Sequence, residues 1–313
     1  AIGHLRRTMS DGAVQQVQAM QHFTAAAAVA RQVKDSRSLS YALGYQAQAR
    51  QDQGQSAEAL TLYRQAVFAA QEIDAPELLY RWQWQIGRLL TAQGDRNGAI
   101  LAYQQAVANV QAIRQDLAPD RQQPAAASFR TQLGDAFTEL ADLLLQRAAR
   151  QTVAAAGEAD LRAARDTMER LKTSEVQDYF RDDCVAALQS RTVALDRPPP
   201  QTAVLYPILL PDRLELLLST ATGLERFTAP VNRAIFTGTV REFRRTLEKR
   251  TSREYLPSAQ RLYDWLIRPL QGTLDAGRIV TLVIVPDGPL RTIPLAALHD
   301  GRDFLIRRYA MAT

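Results

Sequence analysis

Few residues in this chain of 313 could do covalent or metal chemistry, and they are scattered. The one cysteine, Cys184, follows Asp182 and Asp183, whose negative charge disfavours a thiolate, so a structural role is expected for it. A single cysteine also excludes an internal disulfide and any CxxC motif. His4, His22 and His299 show neither HxxxH nor HExxH spacing, so no metal and no cofactor are expected. The densest basic run comprises Arg241, Arg244, Arg245, Lys249, Arg250 and Arg253, with Glu242, Glu248 and Glu254 interleaved. Acid and base fall three and four residues apart there, the pairing distance on a helix, which favours a solvated face over a nucleic-acid site. A net charge of +5 spread over 313 residues gives little field unless it is clustered.

The other chemistry available is recognition, and repetition locates it. Residues 1 to about 195 are rich in Ala, Gln and Leu, which favours helices. Gly54, Ala59, Leu60, Tyr63, Ala66 and Val67 recur forty residues later as Gly94, Ala99, Ile100, Tyr103, Ala106 and Val107. Counting back by forty gives Ala19, Phe23 and Ala26, so at least three units are expected. The pattern describes a helical hairpin: alanines allow close approach, glycine opens the turn, and the aromatic fills the space between hairpins. Trp82, Trp84, Ile86, Gly87 and Leu90 belong to a first helix, and a further unit begins near Phe129 with Leu133, Gly134 and Phe137. Loops are expected at Asp74–Pro76 and Pro119–Pro124, and a helix break near Ala156-Gly157. These residues resemble tetratricopeptide repeats (TPR), with a period longer than the usual 34 or so. In that register the positions pointing into a groove are Tyr41, Gln48 and Gln51 in one unit and Arg81, Trp84 and Arg88 in the next. Aromatic area and Arg side chains able to grip carboxylates suit a protein or peptide ligand.

Three consecutive prolines, Pro198 to Pro200, stop the helical pattern. Val204–Leu210, Leu214–Ser219 and Gly223–Val231 then read as strands of a meander, and Val240–Arg250 and Ser258–Leu270 as helices. Val280 to Val285 is an almost unbroken β-branched run, expected to be central in the sheet and covered on both faces. Pro286, Asp287 and Gly288 end it in a turn, and a second turn is expected at Asp300-Gly301. No glycine-rich phosphate loop follows.

That apolar strand, with Pro286-Asp-Gly288, Leu290-Arg291, Pro294, Ala297-Leu298, Phe304-Leu305 and Tyr309 behind it, resembles the opening of the CHAT domain. This is the caspase- and separase-like domain found behind TPR repeats in bacterial proteins. The stretch from Leu171-Lys172 to Asp183-Cys184 is similar to what precedes such domains. The resemblance implies a cysteine–histidine peptidase dyad in the complete protein. It assigns no catalytic residue here, because the family's His and Cys lie on later strands, beyond Thr313.

The expected fold is mostly α: a TPR-like solenoid of antiparallel helix pairs over residues 1–195, a proline-rich linker over 196–202, and over 203–313 an incomplete α/β caspase-like CHAT domain. The expected function is a protein-interaction and regulatory region, inactive alone, of a bacterial TPR-CHAT peptidase. The alternative is a non-enzymatic adaptor binding a peptide or protein. Besides the groove ligand, expected partners are the remainder of the domain or a second copy. No apolar run is long enough to cross a membrane. The start, AIGHLRR, has no initiator Met and no signal-peptide core, so it reads as a processed terminus or an excised piece. Localisation stays open, with a soluble cytoplasmic protein favoured over a secreted one.

Overall fold

The computed structural model describes residues 2–116, 124–180, 197–249 and 252–313. Cys184 with its two aspartates, Arg250 and the start of the Pro119 loop lie outside those residues, as do the side chains of His4, Phe129 and Leu133. The chain divides into two compact units, residues 1–143 and 144–313.

In the first unit α1 (Ile2–Val33), α2 (Ser36–Asp52), α3 (Ser56–Gln71), α4 (Pro76–Gln93) and α5 (Arg96–Asp116) are followed by the first part of α6 (Pro124–Ala148). Each helix packs on the next from α1 to α5. The forty-residue period appears in the backbone as a twenty-residue alternation. Left-handed φ angles occur at Lys34 (56°), Gly54 (77°), Asp74 (46°) and Gly94 (83°), one per helix turn-around. At each site the amide just beyond donates five residues back: Asp35 to Ala30 O, Gln55 to Arg50 O, Ala75 to Ala70 O, and Asp95 to Leu90 O. Carbonyls left without partners at a helix end are thereby satisfied.

The hairpins close on the small residues of the pattern. Ala59, Ala66, Ala99 and Ala106 are fully buried, as is Tyr63, with Tyr103 nearly so. Among the described side chains of α1 the buried pair is Ala27 and Ala30, counterparts of Val67 and Ala70, whereas Ala26 is exposed. No described helix covers that side of α1 as α2 covers the other. Trp82 is the largest fully buried side chain. Its Nε1 donates to Ser40 Oγ (3.0 Å), and Ser40 Oγ donates to the carbonyl of Ala66 (2.8 Å), linking α4, α2 and α3. The ring fits because residue 44 is glycine: a Cβ there would lie 2.3 Å from it.

The second unit holds the end of α6, α7 (Ala154–Phe180) and a five-stranded sheet. The break between the two helices falls at residues 149–153, earlier than Ala156-Gly157, and Gly157 is accommodated inside the first turns of α7. The strands β1 (Thr202–Leu209), β2 (Leu214–Thr220) and β3 (Gly223–Ala229) form the expected antiparallel meander. Two strands, β4 (Thr281–Ile284) and β5 (Ala310–Ala312), extend it in parallel, giving the order β3-β2-β1-β4-β5. Pro207 is tolerated in β1 because pairing with β4 stops at Leu205, before the missing amide matters. The apolar run of β4 therefore lies one strand from the edge. It is covered less than expected: Leu282 and Ile284 are buried, Thr281 and Val283 only partly, and Val280 is 53% exposed.

Ala203, Leu205, Leu214, Leu216, Leu218, Leu282 and Ile284 face one way, into a core with α8 (Arg233–Leu247) and α9 (Leu256–Leu266). α8 starts seven residues before Val240, because Asn232 caps it by accepting from the amide of Ile235 and Phe236 joins Val240 and Phe243 on the buried stripe. α9 stops at Leu266 rather than Leu270: Pro269 sits in a 3-10 turn (Arg268–Leu270) that leads to the short α10 (Gln271–Ala276). On the opposite face Arg226 donates to Leu145 O, and α7 packs on β3.

A buried charge cluster sits on that second face. Glu215 is fully buried, and Arg213 (2.5 Å), Arg226 (2.7 and 2.8 Å) and Thr228 (2.9 Å) donate to its carboxylate. Burial pushes the Glu215 carboxyl up, but the hydrogen bonds from Arg226 and Arg213 outweigh it and leave the group below the usual glutamate range.

Two outcomes follow from this packing. Gly44→Ala is expected to destabilise residues 1–143 by about 2 kcal/mol through overpacking at Trp82. Gly134→Ala, with nothing within 4 Å, serves as the near-neutral control, and equal shifts in thermal melting would show the Trp82 cleft to be loose. Glu215→Gln removes one side of a buried ion cluster and should cost the second unit about 3 kcal/mol at neutral pH. The stabilisation from a lowered carboxyl pKa is present above the unfolded value and is lost as pH falls through the folded one. The native chain should therefore lose stability below about pH 4 more steeply than the variant, and parallel acid-unfolding curves would contradict the assignment.

Candidate functional site

The first helix of each hairpin presents a face that the internal packing leaves partly open. On α2 it carries Tyr41, Tyr45 and Gln48, spaced four and three residues apart and so aligned along one side. Tyr45 stacks on Tyr41 (centroids 6.3 Å apart) and on Phe23 of α1 (5.4 Å), and meets Trp82 edge-on (5.8 Å). Arg81 on α4 lies over Tyr45 (5.0 Å) and over Trp82 (5.1 Å). Tyr41, Tyr45 and Arg81 are half-buried and Gln48 is exposed. Beside them Met20, Thr24, Gln46, Arg50, Glu58, Thr61 and Leu62 line a hollow of about 340 Å3, where Gln46 donates to Thr24.

The other three groove positions serve the structure internally. Gln51 accepts from the hydroxyl of Tyr63 (3.0 Å). Trp84 is only 7% exposed, and its Nε1 donates to Glu139 on α6 (2.9 Å). Arg88 stacks over Trp84 (4.5 Å) and grips both oxygens of Glu139, at 2.7 and 3.2 Å. The Tyr103 hydroxyl donates to Glu139 as well (2.7 Å). Arg88's own hydrogen bonds to Glu139, with the charge of that carboxylate, hold its guanidinium above its ordinary pKa, and burial, then the Glu139 charge, pushes the Tyr103 phenol up. The structure thus gathers Tyr41, Gln48 and Arg81 with Tyr45 and Phe23 at one place, and Trp84 with Arg88 around Glu139 at another. Tyr45 was available to sequence reasoning as the residue one helical turn after Tyr41. Glu139 was not, because it reaches α4 from more than fifty positions away.

The second unit contains a larger hollow of about 500 Å3 between the α6–α7 turn and the β2–β3 hairpin, lined in part by Val153, Glu158, Leu161, Thr222 and Arg226. Glu158 is paired with Arg162 and Arg226 with Glu215, so the charged groups there are already engaged. The turn after β4 forms as expected, with Gly288 left-handed (φ 48°) and Asp287 within 3.7 Å of Arg291. Nearby, Lys172 on α7 donates to the carbonyl of Val285 (3.3 Å). At the second turn Asp300 accepts from the amides of Arg302 and Asp303, Gly301 is left-handed (φ 105°), and His299 accepts from its amide. No grouping of three His, Cys, Asp or Glu side chains suited to a metal occurs among the described residues. The basic run on and just beyond α8 is partly paired, through Arg244–Glu248 and Lys249–Glu254, while its Glu242 pairs with Arg261 of α9. Among the described residues no helix is long and apolar enough to cross a membrane.

No curated protein matches the chain. Among solved structures it is similar to BtubC (BKLC) from P. vanneervenii, at 15% identity and a TM-score of 0.36, over 57% of this chain and 60% of that one. It is also similar to the nearly identical TPR-like repeats of a protein described as a kinesin light chain from Podosopora anserina, at 21% identity and a TM-score of 0.31, over 59% and 92% of the two chains. The chain spans less than two thirds of BtubC. Scores this low carry no argument, and the repeat assignment rests on the forty-residue period and the backbone that realises it. Residues 256–313 match the CHAT domain family, and they contain the strand and both turns singled out in the sequence. Residues 256–313 are thus a segment similar to the CHAT domain, and helical hairpins of forty-residue period precede it in the chain.

Proposed function

We propose that the chain is the protein-recognition and regulatory region of a bacterial TPR-CHAT protein whose complete form is a caspase-like cysteine peptidase. The observation that carries this reading is the match of residues 256–313 to the CHAT domain behind a set of helical hairpins. The sheet places β1 and β4 side by side in parallel, a platform to which further strands can add beyond β5. The hairpins supply the recognition surface. Its ligand-facing part is Tyr41, Tyr45, Gln48 and Arg81, while Gln51, Trp84 and Arg88 act from beneath by fixing the helices that carry it. A peptide lying there gains aromatic contact area at little entropic cost, because the rings are already stacked. In the peptidase reading a thiolate attacks a peptide carbonyl and a histidine relays the proton. In this reading the contribution of the residues described here is binding.

The test is to read the natural transcript past the Thr313 codon and express the whole frame. The expected product carries a histidine and a cysteine on later strands and cleaves peptides in a cysteine-dependent way, whereas residues 1–313 alone do not. A full-frame product with no cysteine-dependent cleavage would leave the non-enzymatic adaptor as the function of the protein.

A further inference from the structure

Among the described residues of the first unit two arginines lie over aromatic rings, and they differ in whether an acid reaches them. Arg88 lies over Trp84 and has a carboxylate: Glu139 takes its Nε and Nη2 in a two-pronged grip. Arg81 lies over both Tyr45 and Trp82, and no carboxylate reaches it among the described residues. Two other arginines at the hairpin surface, neither of them over a ring, are paired, Arg37 with Glu77 and Arg50 with Glu58. Arg81 is thus the same recognition unit as Arg88 with its acid missing.

The surroundings of Arg81 are rigid. Trp82 is locked by the Ser40 and Ala66 hydrogen-bond chain and by the glycine against its ring, and Tyr45 is held between Phe23 and Tyr41. A guanidinium held over a ring still has N–H donors in its own plane with which to meet a carboxylate. One helical turn further along the same faces, Gln48 on α2 and Gln85 on α4 offer amide donors and acceptors.

Resting on the reading that this face takes a peptide, we infer that its ligand is an acidic segment, an Asp or Glu side chain of which is gripped by Arg81 while an apolar neighbour packs on Tyr41 and Tyr45. Gln48 and Gln85 then bond the peptide backbone on the next turn. Charge complementarity selects this occupant: the acid completes at Arg81 the arrangement that Glu139 completes at Arg88. Desolvation between rings strengthens such a pair relative to one in open water.

The test pans random peptides, displayed as amino-terminal fusions to a phage coat protein, against the full chain, so that every selected carboxylate is a side chain. The expected result is enrichment of Asp and Glu beside an apolar residue. Replacing that acid by its amide in a synthetic peptide, or Arg81→Met in the protein, then weakens binding about ten- to a hundred-fold, with Arg81→Lys in between. The peptide substitution leaves the protein untouched, so it decides the matter even if a variant folds poorly. Selected peptides without acid enrichment, or an acid-to-amide change without effect, overturn the acidic ligand and leave the peptide-binding face standing. Failure to select any peptide overturns both.

Discussion

Trp82 is the side chain on which the first unit depends, because three helices meet through it. Its indole donates to Ser40, Ser40 donates to the Ala66 carbonyl, and the ring occupies space that any residue larger than glycine at position 44 would fill. Every buried polar atom in that chain has a partner, so the ring is fixed without a buried unsatisfied group. The same economy recurs one hairpin later in a different form, where Gly87 lets Tyr103 approach to a distance that an added Cβ would shorten to 2.7 Å. Close approach and aromatic fill are two halves of one packing solution, and the forty-residue period sets both.

The second unit is stabilised by different means. Its meander buries a carboxylate on the face that meets α7, and only the two arginines and Thr228 make that tolerable. Glu215 and Thr228 are directly opposite across β2 and β3, with Arg226 on the diagonal, so the cluster also fixes strand register. A slip by one residue would turn Glu215 into the apolar core that Leu214 and Leu216 now fill.

What the sequence disclosed and what it hid divide along the range of the interactions. The hairpin period was legible because each requirement is local: glycine for a left-handed turn at residues 54 and 94, alanine for contact, an aromatic four residues on. The strand runs and the turn at Pro286 to Gly288 were legible for the same reason, and they led to the CHAT segment. The start of α8 was missed because its cap, Asn232, sits behind a strand and looks like part of a loop. The exposure of Val280 was not foreseeable from a β-branched run, since what covers a sheet face is decided by distant helices. Trp84 shows the limit most plainly. Its spacing puts it on a groove face, yet a glutamate on α6 draws it into the structure.

That capture bears on how a repeat surface divides its work. A tryptophan and an arginine on neighbouring turns make a strong carboxylate site wherever a carboxylate can reach. In the hairpin of α4 and α5 the chain supplies the acid itself, from Glu139, and the site becomes mortar between helices, satisfying Tyr103 as well. At Arg81 the aromatic support is at least as complete, with two rings instead of one, but no internal acid arrives among the described residues. On the reading proposed above, a structural joint and a recognition site differ here by a single carboxylate. An internal acid is held at fixed distance and needs no partner concentration; an external one must overcome the entropy of association. Rigid rings beneath Arg81 reduce that cost, because neither the guanidinium nor its platform has to be ordered when the ligand arrives.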